Sequence, residues 1–306
     1  MAGARAPGIA RENGPACRPW ALEDVGCGRR VVGKKCGLAY LGSFMGVFQL
    51  SKWYADVVEP GTGRLLICYD SELRWKGLAF RFTNTLQFEA PGKRHTAASF
   101  AQKGTAGLTD NDTVFALRQP GLHGTWQQQA PTVREVLLET DKGSVLWECY
   151  FPAATAQVTM GESTFRGLGY VERLTLTLPP WHLPLQTLRW GRLVTPHHSV
   201  VWIRWDGPEP RHLVFHNGVR YADSGFIGDD HLQFGPYSLV FEEKHSLRAG
   251  PVGSTVFRRF PWFKKLFPAR ILHLDETKWL SSAALSEGGV VLGLGYAVHE
   301  RVEWPS

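Results

Sequence analysis

The tetrapeptide Gly-Leu-Gly-Tyr stands twice in this chain, at 167–170 and 293–296, and each copy opens a β-like run that carries a glutamate. The copies lie 126 residues apart. That offset suits a small β-barrel and far exceeds the repeat of about 20–50 residues found in solenoids. Each copy reads as the closing strand of its own barrel or sheet, which makes the chain a tandem of two β-units.

Composition and turn chemistry agree with that reading. Hydrophobic residues make up 43% of 306, with 33 Gly, 19 Pro, 12 Trp and 17 Phe, a balance that favours sheet and turn over helix. Strand patterns recur at 39–50, 53–59, 64–71, 79–88, 95–102, 113–118, 122–128, 133–140, 145–151, 156–160 and 169–178. A second set runs through 187–195, 199–205, 212–217, 219–222, 238–245, 255–259, 271–277, 290–294 and 296–303. Pro60-Gly61, Pro91-Gly92, Pro120-Gly121 and Asp141-Lys142-Gly143 separate strands of the first set, and Asn217-Gly218 is the clearest hairpin mark. Pro179, Pro180 and Pro184 have no N–H to give a central ladder, so 179–185 reads as the linker. The expected fold is all-β: two tandem antiparallel barrels with few short helices, one of them within 260–285 and best placed at 280–285. The expected division is a poorly ordered leader rich in Gly, Pro and Arg at 1–36, a first barrel at 37–180 and a second at 181–306.

Several function classes lose support. The five cysteines, at 17, 27, 36, 68 and 149, form no CxxC pair and have no metal-ligand spacing, which suits reduced thiols in a cytoplasmic protein. His182, His197 and His198 lack an accompanying carboxylate set, so no metal is expected. A net charge of +6 is scattered apart from 29–35 and 258–265, which does not make a nucleic-acid surface. No nucleophile elbow, P-loop or Rossmann glycine pattern occurs, so no cofactor is expected. No run of about 18 apolar residues is present. The cluster 258–267 alternates cations with large aromatics, either as a peripheral membrane contact or as a loop that caps a barrel.

One stretch carries a resemblance. Trp53-Tyr54-Ala55-Asp56, the Pro60-Gly61 turn and the apolar run after it resemble the strand that opens barrels in the carotenoid hydratase (hydroxyneurosporene synthase) and AttH-like family. Trp147-Glu148-Cys149-x-x-Pro152 and Gly167-x-Gly-Tyr-x-Glu172 fit the same pattern. The resemblance implies two lipocalin-like (calycin) barrels over about residues 37–304. Lys52-Trp53-Tyr54 replaces the usual doubled tryptophan, and the second half has no clear copy of the opening motif.

Strand alternation places Glu172 on one face with Leu168, Tyr170, Leu174 and Leu176. If that face points into the barrel, burial raises the carboxyl pKa and suits Glu172 to general acid or base work, with Tyr170 and Asp56 in support. The alternative is an ion pair between Glu172 and Arg189 or Arg192. In the second copy Glu300 lies on the same alternating face, two residues farther from its tetrapeptide, and reads as a structural echo, while His299 reads as a solvated strand residue beside Arg301 and Glu303. Trp53, Tyr54, Trp147, Arg189, Trp190, Arg204 and His216 are the expected ligand-binding groups, since arginine and tryptophan together make a stacking wall. The expected function is cofactor-independent acid–base chemistry, as hydratase, isomerase, cyclase or lyase, on a hydrophobic unsaturated small molecule. The alternative is a non-catalytic lipocalin-like binder of a lipophilic metabolite.

Overall fold

The computed structural model describes residues 48–89, 92–100, 104–222, 225–255, 258, 264–265 and 267–305. The expected leader, most of the strand at 39–50 and most of the cluster 258–267 lie outside them.

Period-two alternation in the first half yields ten strands: β1 Gln49–Val58, β2 Leu65–Trp75, β3 Leu78–Glu89, β4 Lys93–Ser99, β5 Thr105–Thr109, β6 Val114–Gln119, β7 Leu122–Gln128, β8 Val133–Thr140, β9 Gly143–Met160 and β10 Ser163–Leu176. The second half yields ten more. They are β11 Thr187–Val194, β12 Ser199–Asp206, β13 Arg211–His216, β14 Val219–Tyr221, β15 Phe226–Ile227, β16 His231–Phe234, β17 Tyr237–Phe241, β18 His245–Pro251, β19 Asp275–Glu287 and β20 Val290–Glu303. A 3-10 turn at Pro180–His182 joins the halves, and two short helices follow β18, α1 at Val252–Thr255 and α2 at Ala269–Leu272.

The two antiparallel sheets have one topology. The first is ordered β4-β3-β2-β1-β10-β9-β7-β6-β5 with β8 also on β9, and the second is ordered β14-β13-β12-β11-β20-β19-β17-β16-β15 with β18 also on β19. Adding ten to every label of the first sheet gives the second. The chain is therefore an all-β tandem whose final strands, β10 and β20, each close back on the opening strand of their own half.

Each sheet buries both faces. Along β1, Ala55 and Val57 pack into a core enclosed by the first sheet with Trp126, Phe151 and Phe165. Tyr54 and Val58 point the other way, into a core shared with Trp190, Ile203, Trp205, Phe215 and Val298 of the second sheet. On β12, Val200 and Trp202 join the second sheet's own core, and Val201, Ile203 and Trp205 join the shared one. Three cores thus lie side by side, and the middle one faces both sheets.

Local chemistry sets the details. Asn217 and Gly218 have φ of 51° and 79°, the left-handed pair that a two-residue hairpin requires. In the first Gly-Leu-Gly-Tyr, a Cβ on Gly167 would stand 2.0 Å from the Val58 carbonyl oxygen, and one on Gly169 would stand 2.6 Å from that of Asp56. The β9–β10 register shifts at this place, between Gly169 and Glu172. The short helix expected within 260–285 is present as α2 at Ala269–Leu272, but 280–285, the part favoured for it, is strand. Its Ser-Ser-Ala-Ala run has no strong local preference, and pairing of Ser281 with Ala297 and of Ala283 with Gly295 decides the outcome. Residues 145–151 and 156–160, read as two strands, are the single 18-residue β9, whose first half pairs with β8 and second half with β7.

Candidate functional site

The face of β10 that carries Glu172 points into the shared middle core and not into the first barrel. Register brings the neighbours together: Glu172 pairs across to Tyr54 on β1 and to Cys149 on β9. Three neutral donors converge on one carboxylate oxygen, Oε2. Trp147 Nε1 donates at 2.5 Å, the Tyr170 hydroxyl at 2.7 Å and Trp190 Nε1, from the second sheet, at 3.1 Å. Among the described residues none bonds Oε1, and Glu172 keeps 9% of its surface accessible. Burial raises its pKa; the hydrogen bonds from Trp147 and Tyr170 and the charge of Lys52 pull it back in part. On balance its pKa stays above the usual carboxylate value.

Neither arginine of the alternative reading reaches Glu172. Arg192 makes a two-pronged pair with Asp56, at 2.9 and 2.6 Å, and both side chains are almost wholly buried. The Tyr54 hydroxyl also donates to Asp56, at 2.8 Å. Arg189 turns away to Asp229 and Asp206.

Glu300 has the opposite environment. It is the counterpart of Glu172, since it pairs with Trp190 as Glu172 pairs with Tyr54, but its other neighbour is Lys278 where Glu172 has Cys149. Burial opposes ionisation of Glu300, and the charges of Lys278 and Lys52 outweigh it, so its pKa falls below the usual carboxylate value. Lys278, itself buried, is held charged by Glu300 against the same desolvation. Lys278 Nζ also lies over the rings of Tyr54 and Trp190, at 5.5 and 5.4 Å.

Beside this cluster an apolar cavity of about 340 Å³ opens between the sheets. Its walls include Leu50, Leu73, Phe80, Phe82, Trp181 and Phe267, and its polar groups are Lys52, Tyr69, Ser71, Asn84, Arg248, Glu276 and Glu300. The Asn84 Oδ1 atom is buried without a hydrogen-bond partner among the described residues. Arg248 Nη1 donates to both oxygens of Glu276 at 3.2 Å. A second concavity, of about 510 Å³, lies along β3, β4 and β6, and its lining mixes Thr85, Gln87 and Gln119 with Ala97, Leu122 and Met160.

The structure thus gathers Glu172, Tyr170, Asp56, Tyr54, Trp147 and Trp190 into one buried cluster. It places the other expected ligand-binding groups elsewhere. Trp53 points to the first barrel's core and is covered by Arg173 at 5.2 Å. Arg189 and Arg204 join Asp206, Asp229 and Arg301 in an ion-pair network on the second sheet, and His216 packs with His198, Tyr221 and Tyr237. None of these ten residues lines the inter-sheet cavity. His299, read as solvated, is buried: it lies between Phe241 and Trp279, bonds Ser281 at 2.9 Å, and its pKa is pushed down to about 3 by burial and by Lys244. Its face of β20 turns into the second barrel's core.

Sequence reading missed Lys52, Tyr69, Asn84, Arg248 and Lys278. For two of them a signal existed. Lys52 shares the alternating face of Tyr54 and Asp56, and Asn84 interrupts the apolar series Phe80, Phe82, Leu86, Phe88 on β3.

No protein-family model and no curated protein sequence matches the chain. Among solved structures, that of CghA superposes with a TM-score of 0.53 at 11% identity, over 84% of this chain and 88% of that one. An AttH-type protein of Nitrosomonas europaea gives 0.49 at 8%, over 89% and 98% of the chains. Kievitone hydratase from Nectria haematococca gives 0.46 at 8%, over 83% and 88%. At such identity the likeness to CghA is one of fold, and the two-barrel architecture that the resemblance to the AttH-like group implied is the architecture of this chain.

Proposed function

We propose that the protein is an acid–base enzyme for a hydrophobic, unsaturated small molecule, bound in the cavity between the sheets and turned over without a cofactor. The observation that carries this reading is a pair of buried glutamates in equivalent positions whose environments drive them apart, Glu172 towards the neutral form and Glu300 towards the ionised one. Two carboxyl groups with separated pKa values are the usual basis for dividing acid and base roles in one site. Glu172, fixed by Tyr170, Trp147 and Trp190, is the proton donor. Glu300, which lines the cavity with Lys278 behind it, is the proton acceptor. Asp56 holds the Tyr54 hydroxyl and so positions the strand opposite Glu172.

Hydration, isomerisation, cyclisation and elimination all use these parts: an apolar cavity, one neutral acid and one base, with a positioned water as the second reactant in hydration. The competing reading, a binder without chemistry, is favoured by the absence of Glu172 from the cavity lining. The test is native mass spectrometry of the protein purified from its own host, to identify the retained small molecule, followed by turnover assays with Glu172→Gln and Glu300→Gln. The enzyme reading expects product from the parent and a loss of about 100-fold or more in each variant. A retained molecule that is never converted by the parent supports the binder.

A further inference from the structure

A third cavity, of about 330 Å³, adjoins the apolar one, and the two share Asn84 and Arg248 in their linings. Its chemistry is different. Arg94, His95, Arg248 and Arg258 line it together with the hydroxyl residues Thr96, Ser254 and Thr255, and among the described residues no carboxylate does. Arg248 is neutralised by Glu276, which faces the apolar side. Arg94 spends one N–H on the Ser246 carbonyl, at 2.8 Å, and neither it nor Arg258 has a carboxylate partner among the described residues. Two guanidinium groups without a carboxylate partner among the described residues therefore line the cavity that adjoins the apolar chamber. At the junction is Asn84, 5% exposed, whose Oδ1 lacks a hydrogen-bond donor. A buried acceptor left unpaired costs about 1–3 kcal/mol, so the junction favours an occupant that supplies an O–H or N–H.

Resting on the reading of the inter-sheet cavity as the ligand chamber, we infer that the ligand is an amphiphile with a phosphate end. The apolar body fills the chamber, a hydroxyl or amide near the junction donates to Asn84, and the phosphate lies among Arg94, Arg258 and Arg248. Arginine forks match phosphate oxygens in pairs, and a dianion meets the two free cations.

Calorimetric titration of the full chain with n-decyl phosphate, decanoate, decanol and inorganic phosphate tests this. Decyl phosphate is expected to bind at least about tenfold more tightly than decanol and than decanoate. Arg94→Gln with Arg258→Gln is expected to abolish that preference and leave decanol affinity unchanged, and Arg94→Lys to restore part of it. Arg94 and Arg258 are exposed, so their loss leaves both sheets intact. Equal affinity for decyl phosphate and decanol overturns the phosphate site and leaves the apolar chamber standing. Decanoate as tight as decyl phosphate, or a preference that survives the double substitution, also overturns it. If none of the decyl probes binds, the chamber reading fails along with it.

Discussion

At the scale of single residues, the two equivalent glutamates owe their difference to one neighbour each, Cys149 beside Glu172 and Lys278 beside Glu300. The pH dependence follows with opposite signs. Burial raises Glu172 in the fold, so the stability owed to its proton is complete below the unfolded pKa and declines as pH climbs through the folded one. Glu172→Gln has no such proton to lose. Urea midpoints should be equal for parent and variant near about pH 4 and higher for the variant near about pH 8. Glu300 is lowered, so its contribution is present above the unfolded pKa and is lost as pH falls through the folded one. Lys278→Met leaves that carboxylate buried and unpaired, and should cost about 3–5 kcal/mol in equilibrium unfolding near neutral pH. The burial of Glu172 was legible, because alternation alone puts it among leucines and a tyrosine. The lysine beside Glu300 was not, since it arrives from β19 through a register that no local pattern encodes. His299 was misread for a related reason. Its charged neighbours on the strand become progressively more accessible, Arg301 half-buried and Glu303 exposed, while His299 itself is buried.

At the scale of elements, the two Gly-Leu-Gly-Tyr strands are unequal in the space around their glycines. A Cβ on Gly169 meets the Asp56 carbonyl and the Trp126 indole at 2.6 and 2.7 Å, and one on its match, Gly295, meets the Val194 carbonyl at 2.9 Å. At the first glycine of each copy the contrast is wider, 2.0 Å from Gly167 to the Val58 carbonyl against an ordinary 3.4 Å from Gly293 to Thr195. Gly169→Ala should therefore destabilise by about 1–3 kcal/mol as overpacking does, and should loosen the Trp126 bond to the Asp56 carbonyl. Gly293→Ala should be tolerated. Paired thermal melts decide the matter, and equal melting temperatures for the two variants would show that Gly293 is as closely packed as Gly169. Most strands could be read from alternation and turn residues. Of those missed, β5, β15 and β16 are two to five residues long and too short for a periodic signal, and β18 shows no alternation because Leu247 is its one buried residue. Most of β19 was missed as well, since only 275–277 of its span read as strand. The missing copy of the opening motif in the second half is also accounted for. Arg189-Trp190-Gly191-Arg192 on β11 holds the places of Trp53-Tyr54-Ala55-Asp56 on β1, as register against the two glutamate strands establishes.

At the scale of the whole molecule, the shared core is the largest apolar cluster and belongs to neither half alone. Each buried Leu, Ile or Phe in it contributes about 1.5–3 kcal/mol, so a half expressed alone would present this face to water. Residues 43–178 and 181–306 made as separate chains should each bind a hydrophobic dye and precipitate, and co-expression should recover a soluble pair. Two soluble, cooperatively unfolding halves would count against a shared core. Arg192→Met, which strands Asp56 in the middle layer, should cost about 3–5 kcal/mol, and an added Asp56→Leu should restore part of it. Asp56 and Arg192 stand at matching places on β1 and β11, as do Tyr54 and Trp190, whose rings meet at 5.1 Å. Matching residues that touch each other lie beside an approximate two-fold axis. Two identical subunits would place two aspartates or two arginines face to face on such an axis, a like-charge clash in a dry core. The Asp56–Arg192 bridge therefore requires two genetically independent copies of the position. In any descent from a symmetric dimer, the polar centre of this protein is younger than its barrels and could have arisen only after the copies were free to diverge.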